Sequence, residues 1–232
     1  MSRRTYAAVG TIALIVAVAL IAASLIGARG GGPAAQAEQL SVNDASTLLR
    51  GIPQSGPSLG RPTAPVTLVE FADPQCPYCA QWSQQAFPEL VRDYVRSGKV
   101  RVVFAGLAFI GPDSDEALRF AFAAGRQGKL WEVVDLLYAN QGAENSDWVS
   151  EDFLREVGDA VPGLDVERAL RETSSPEVES ELAAAKDLQA RLGVDSTPAF
   201  AAARKGGKLS PVQITSLDAG GIRPSLDGLL AR

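Results

Sequence analysis

The amino-acid order predicts an α/β sandwich with a helical insertion, preceded by one N-terminal transmembrane helix. Three observations carry this reading. Residues 5–28 form an uncharged, apolar run. A strand, a helix and a second strand then follow between Val66 and Phe104. Finally, a stretch rich in Ala, Leu, Glu and Arg, about residues 113–192, separates these elements from a closing pair of strands.

The apolar run is flanked by Arg3 and Arg4 before it and Arg29 after it. About 20 apolar residues span a bilayer core as a helix. The short, arginine-bearing N-terminus is expected to stay in the cytoplasm, which places the rest of the chain outside. A retained single-pass anchor in a bacterial-type cytoplasmic membrane is the expected state. The alternatives are a signal peptide cleaved near Ala37, since Ala35-Gln36-Ala37 resembles a cleavage site, and a weakly matching twin-arginine signal. All three export the following domain to an oxidising compartment.

Residues 29–63 contain six Gly and four Pro and read as a tether and N-terminal extension. Within it, Ser41 to Arg50 is compatible with a short helix capped by Ser41 or Asn43. The expected domain plan is therefore 1–28 anchor or signal, 29–63 tether, and 64–232 folded domain.

Val66 to Phe71 is a β-branched apolar run and predicts a buried strand. Residues 77–97 predict a helix with Trp82, Phe87, Leu90, Val91 and Tyr94 on one stripe, broken or kinked at Pro88. Val100 to Phe104 predicts a second strand. A strand joined to the next through a helix implies a parallel pair. Helices are expected near 114–126, 129–140, 150–159, 165–172 and 176–192. Asp113 or Ser114 is the expected cap of the first, and Ser175-Pro176-Glu177 opens the last. Residues 199–204 and 208–214 predict two strands around Gly206-Gly207, and a helix from Pro224 closes the chain.

Composition closes several mechanisms. The chain has no histidine, two cysteines and a net charge of −5. Hydrolases that need an imidazole base and His-ligated zinc centres are excluded. Two cysteines cannot complete a four-cysteine zinc site within one chain. The acidic balance argues against nucleic acid as a partner. No metal or organic cofactor is expected.

The chemistry concentrates at Cys76-Pro77-Tyr78-Cys79, which runs from a strand end into a helix start. A thiolate is the nucleophile of disulfide exchange. A helix N-terminus carries free N–H groups and partial positive charge, which stabilise such an anion. Pro77 suits the first helical turn. Cys79, one turn on, is placed to attack a mixed disulfide formed at Cys76. Two inert buried thiols, a structural four-residue disulfide and a metal site shared between chains are the competing readings. Far away, Thr197-Pro198 leads into a strand. Such a proline is either a cis bond or an ordinary trans residue at a strand start.

The segments VTLVEFADPQCPYC, GKVRVVF and GVDSTPAF, with the helical block between them, resemble the DsbA-like branch of the thioredoxin fold. The resemblance runs from about residue 50 to the C-terminus. It implies a thioredoxin-like fold with a helical insertion and a membrane-anchored, extracytoplasmic thiol–disulfide oxidoreductase. It implies a cis bond at Pro198, a substrate-contacting backbone at Thr197, and a buried acid at Glu70 that tunes the thiols and moves the proton of the buried cysteine. Exported proteins with free thiols are the implied substrates, and a quinone-linked membrane partner is implied to recycle the site. A reductase or isomerase, a glutathione-dependent glutaredoxin-like enzyme and a non-catalytic binding or chaperone module are the alternatives. The departure from the strongly oxidising members is Tyr78, which stands where they carry histidine. Thiolate stabilisation is therefore expected to rest on the helix N-terminus and the Glu70 environment.

Overall fold

The computed structural model describes residues 45–231 of the 232-residue chain. The expected membrane span at 5–28, the cleavage site near Ala37 and the caps Ser41 and Asn43 lie outside the described residues. Among the described residues no helix is long and apolar enough to cross a membrane.

The stretch expected to be tether contributes structure to the folded unit. It holds a short helix α1 (Ala45–Leu49) and two brief strands, β1 (Gln54–Ser55) and β2 (Ser58–Leu59). Leu59 is fully buried. These strands were invisible as alternation because each is two residues long. Sheet pairing, rather than local pattern, defines them.

Strand β3 (Val66–Ala72) is the centre of the fold. It pairs parallel with β4 (Val100–Gly106) and antiparallel with β5 (Ala199–Arg204). β6 (Ser210–Val212) completes a six-stranded sheet in the order β1-β2-β4-β3-β5-β6. β3 is largely apolar because it is buried on both faces, and its one acid, Glu70, is buried with it. Val66, Leu68 and Ala72 join the core that contains Trp82, Phe104 and Phe200. Val69 and Phe71 turn the other way, into a smaller core with Ala105, Leu107, Ala185 and Ala201.

The crossover from β3 to β4 is helical, and it breaks where Pro88 predicts. It divides into α2 (Pro77–Gln85), α3 (Phe87–Leu90) and a π-helical turn over Val91–Val95. Proline cannot donate to the helical ladder, so the chain restarts at Ala86 with Pro88 in the new first turn.

The insertion comprises α4 (Pro112–Gly125), α5 (Leu130–Ala139), α6 (Glu151–Asp159) and α7 (Val166–Glu172), followed by α8 (Pro176–Leu192). All five lie where the sequence places them. Aromatic rings bind the insertion to the sheet layer: Trp131 stacks on Phe87 at 5.0 Å and meets Phe104 edge-on at 5.8 Å. α8 packs against β4, while the last helix α9 (Arg223–Leu230) packs against β3 and β5. Ser175 caps α8 by accepting the Val178 N–H, as expected.

One expected cap is corrected. α4 begins after Gly111 with Pro112 in its first turn, and neither Asp113 nor Ser114 is the cap. The Ser114 hydroxyl is drawn instead to a buried carboxylate, described below.

Candidate active site

β3 ends at Ala72, and the turn Asp73 to Cys76 delivers the chain to α2. Cys76 is the N-cap residue of α2, with extended backbone, and Pro77 occupies its first turn. The Cys76 carbonyl accepts the N–H groups of Cys79 at 3.0 Å and Ala80 at 3.1 Å. Both thiols are free; Cys76 is 5% exposed and Cys79 wholly buried.

The Thr197–Pro198 peptide bond is cis. Thr197 lies against the helix start, where its carbonyl oxygen accepts the Cys76 thiol at 3.3 Å. The structure thus joins Cys76, Cys79, Thr197 and Pro198 from opposite ends of the domain. Glu70 lies within β3, in register with Phe104 and Phe200, on the strand face shared with Val66, Leu68 and Ala72.

The two thiols differ electrostatically. The Cys76 thiol is brought down from 9.0 to about 6, chiefly by the Cys79 thiol. The Thr197 hydroxyl and the backbone N–H groups of Cys79 and Tyr78 add to this against the opposing effect of burial. At neutral pH Cys76 is therefore mostly thiolate. Burial pushes the Cys79 thiol up, and the neighbouring Cys76 sulfur reinforces the shift. Glu70 is pushed up to about 8 by burial, against a lowering influence from Trp82. It carries its proton at pH 7. The Tyr138 hydroxyl is also raised, chiefly by burial and then by the charges Cys79 and Glu70 carry once ionised at alkaline pH.

The expected support for the thiolate is half corrected. The helix N-terminus contributes, through the Cys79 and Tyr78 amides. The other support comes from Cys79 and Thr197, and Glu70 is not among the groups that lower the Cys76 thiol. Tyr78 is 61% exposed and acts on Cys76 through its backbone N–H.

Residues beyond the expected set shape the turn. The Gln141 side chain donates to the carbonyls of Pro74 at 2.7 Å and Cys76 at 3.1 Å. Gln75 donates to the Ser114 hydroxyl at 2.9 Å and accepts the Asn145 N–H at 2.7 Å. Asp73, fully buried, accepts four donors. The sequence held one signal for these residues: a charged and an amide side chain inside an otherwise apolar strand-to-helix connection.

A low-pKa thiol at a helix start, with a protonated thiol one turn on and an extended backbone beside it, has the parts needed for two-step disulfide exchange. Among the described residues no cluster of His, Cys, Asp or Glu is arranged to hold a metal ion.

The thioredoxin family model matches residues 54–211. The chain belongs to the thioredoxin family. The probable disulfide bond formation protein D of Bacillus cereus is 34% identical over 144 residues, 61% of this chain and 67% of that one. The match thus spans about two thirds of the relative's length. The crystal structure of oxidised BdbD from Bacillus subtilis superposes with a TM-score of 0.65 at 22% identity, covering 76% of this chain and 94% of that one, which shows the shared fold. A thioredoxin-like oxidoreductase from Silicibacter pomeroyi is 28% identical with a TM-score of 0.58, over 82% of this chain and 99% of that one. The expected thioredoxin-like fold with a helical insertion is borne out, as is the expectation of a DsbA-like thiol–disulfide oxidoreductase.

Proposed function

We propose that this chain is an extracytoplasmic enzyme that oxidises thiols of exported proteins through a redox disulfide between Cys76 and Cys79. The observation that carries the reading is the division of labour between the thiols: Cys76 reaches about 6 at the helix start while Cys79 is driven up by burial.

A client thiolate attacks Cys76 Sγ in the disulfide, and the electron pair of the broken bond passes to Cys79. Glu70, protonated at pH 7, stands as the group that exchanges a proton with Cys79. Thr197 presents its backbone to an extended client segment, a form of strand addition, and Pro198 and Pro77 hold the two walls of the site. A second client thiolate resolves the mixed disulfide. The dithiol is then reoxidised by a membrane redox partner, and residues 5–28 anchor the chain in the cytoplasmic membrane beside it.

The favoured direction is oxidation. A depressed Cys76 pKa stabilises the reduced form and so raises the potential of the couple. A value of about 6 falls between those of thioredoxin, about 7, and DsbA, about 3.5. The potential is therefore expected between about −270 mV and −120 mV.

Purified protein is tested with a reduced dithiol peptide. Cys76→Ser and Cys79→Ala, neither of which can form the redox disulfide, should be inactive, and Cys79→Ala given oxidised glutathione should trap a mixed disulfide at Cys76 as glutathione thiolate leaves. Full residual activity in Cys76→Ser, or a potential at or below thioredoxin's, overturns the reading.

A further inference from the structure

We propose that Asp73 is the positioning residue of the redox turn: its buried carboxylate locks residues 73–76 to the connection between β4 and α4 and thereby fixes both sulfurs. This rests on the dithiol reading above.

Four donors from three segments converge on this carboxylate. Oδ1 accepts the Gln75 N–H at 2.8 Å and the Ser114 hydroxyl at 2.5 Å. Oδ2 accepts the N–H groups of Phe109 at 2.8 Å and Ile110 at 2.9 Å. Gln75 is the residue before Cys76, Phe109 and Ile110 follow β4, and Ser114 stands in the first turns of α4. A carboxylate satisfied by several fixed donors makes stronger bonds than a neutral acceptor in its place.

The main chain of the same residue addresses both cysteines. The Asp73 carbonyl accepts the Cys76 N–H at 3.0 Å and the buried Tyr138 hydroxyl at 3.4 Å. The Asp73 N–H lies beside the Cys79 sulfur and favours its anion. The side chain therefore holds still a backbone segment that touches both ends of the reactive bond.

The step that uses this geometry is the first displacement. The client sulfur bonds to Cys76 Sγ as the Cys76–Cys79 bond breaks, and the electron pair leaves on Cys79 Sγ, facing the Asp73 N–H. Cys79 then takes up a proton. In the second displacement another client thiolate attacks the client sulfur, and the pair returns to Cys76. The client leaves as disulfide, two electrons poorer, and the enzyme holds them as one thiol and one thiolate.

A charge role and a positioning role have opposite signs. The titratable groups facing the pair are Glu70, Asp73, Tyr138 and the two thiols themselves. If Asp73 acted only as a negative charge, neutralising it would lower the Cys76 pKa. If it positions the turn, loosening it weakens the amide and Cys79 contacts that favour the thiolate, and the pKa rises.

The experiment titrates Cys76 by thiolate absorbance in reduced full-length protein, with Cys76→Ser as the blank, and measures oxidation of a dithiol peptide. Asp73→Asn removes the charge and places an amide nitrogen where two N–H donors need an acceptor. Ser114→Ala keeps the charge and removes one anchor. The expected result is a midpoint raised by about one unit in Asp73→Asn, which makes the couple about tenfold, or about 30 mV, less oxidising. Ser114→Ala should show a smaller rise of the same sign. Unchanged or lowered midpoints overturn the proposal while wild-type turnover leaves the oxidase reading standing. If Asp73→Asn does not fold, Ser114→Ala decides alone. Absence of turnover in the wild type would sink the oxidase reading itself.

Discussion

Cys76 and Thr197 lie 121 residues apart in sequence and meet at 3.3 Å, thiol to carbonyl. The contact places the lowest-pKa thiol of the chain against the segment that leads into β5.

The Cys76 titration follows chiefly from the neighbouring Cys79 thiol. Alkylation of the reduced protein should rise with a midpoint near pH 6, while Cys79 stays silent until strongly alkaline pH. The folded pKa is depressed, so the associated stability is fully present above the unfolded value of 9.0 and lost as pH falls through about 6. After allowance for solvent screening this is about 1 kcal/mol at pH 7. Between pH 7 and pH 5 the reduced form should lose about that amount in urea unfolding relative to the oxidised form, the change at Glu70 being common to both.

Glu70 works in the opposite sense. Its folded pKa is raised from 4.5 to about 8. The unfolded chain therefore loses this proton first, and stability present below about pH 4.5 drains away as pH rises through 8. Glu70→Gln should be more stable than wild type by about 2–3 kcal/mol at pH 7 and nearly equal to it at pH 4. Its Cys79 should also exchange protons more slowly during turnover. Denaturant midpoints at the two pH values check the first statement, and stopped-flow oxidation of a dithiol peptide checks the second.

Tyr78 offers a substitution that changes chemistry with little effect on folding. Its ring is exposed. Tyr78→His should alter stability by less than about 0.5 kcal/mol. A protonated imidazole between the cysteines should lower the Cys76 midpoint below its present value of about 6 and make the couple more oxidising. Equilibration with a glutathione buffer reads the potential directly; an unchanged value would remove Tyr78 from the list of potential-setting residues.

Trp82 tests the wall behind the site. It is fully buried, and its ring centroid lies 4.4 Å from that of Phe200. Trp82→Ala should cost about 3–5 kcal/mol by opening a cavity under α2. Trp82→Phe should cost much less, about 1 kcal/mol, since an aromatic ring still fills most of the space. Thermal midpoints distinguish the two.

Much of this molecule was legible in the sequence because its signals are local. The apolar run of β3, the restart at Pro88 and the Ser175-Pro176 opening of α8 each depend on a few adjacent side chains and their backbone preferences. The Cys76-Pro77-Tyr78-Cys79 spacing on a helix start is local too. Strands β1 and β2 escaped because two residues show no alternation. Ser114 was misread as a helix cap because a cap and a ligand to a buried carboxylate use the same short hydroxyl side chain.

The sequence by itself determined the order of elements, the break in the crossover helix and the pair of cysteines, since propensity, proline geometry and spacing act over a few residues. Only the tertiary structure decided which groups face those cysteines. Thr197 reaches Cys76 because β5 pairs with β3, Glu70 stays protonated because the packed sheet and helix desolvate it, and Asp73 gathers donors from the connection after β4 and from α4 that adjacency in sequence does not supply. Burial and long-range pairing are properties of the assembled layers, and the pKa values that make the site reactive exist only once those layers close.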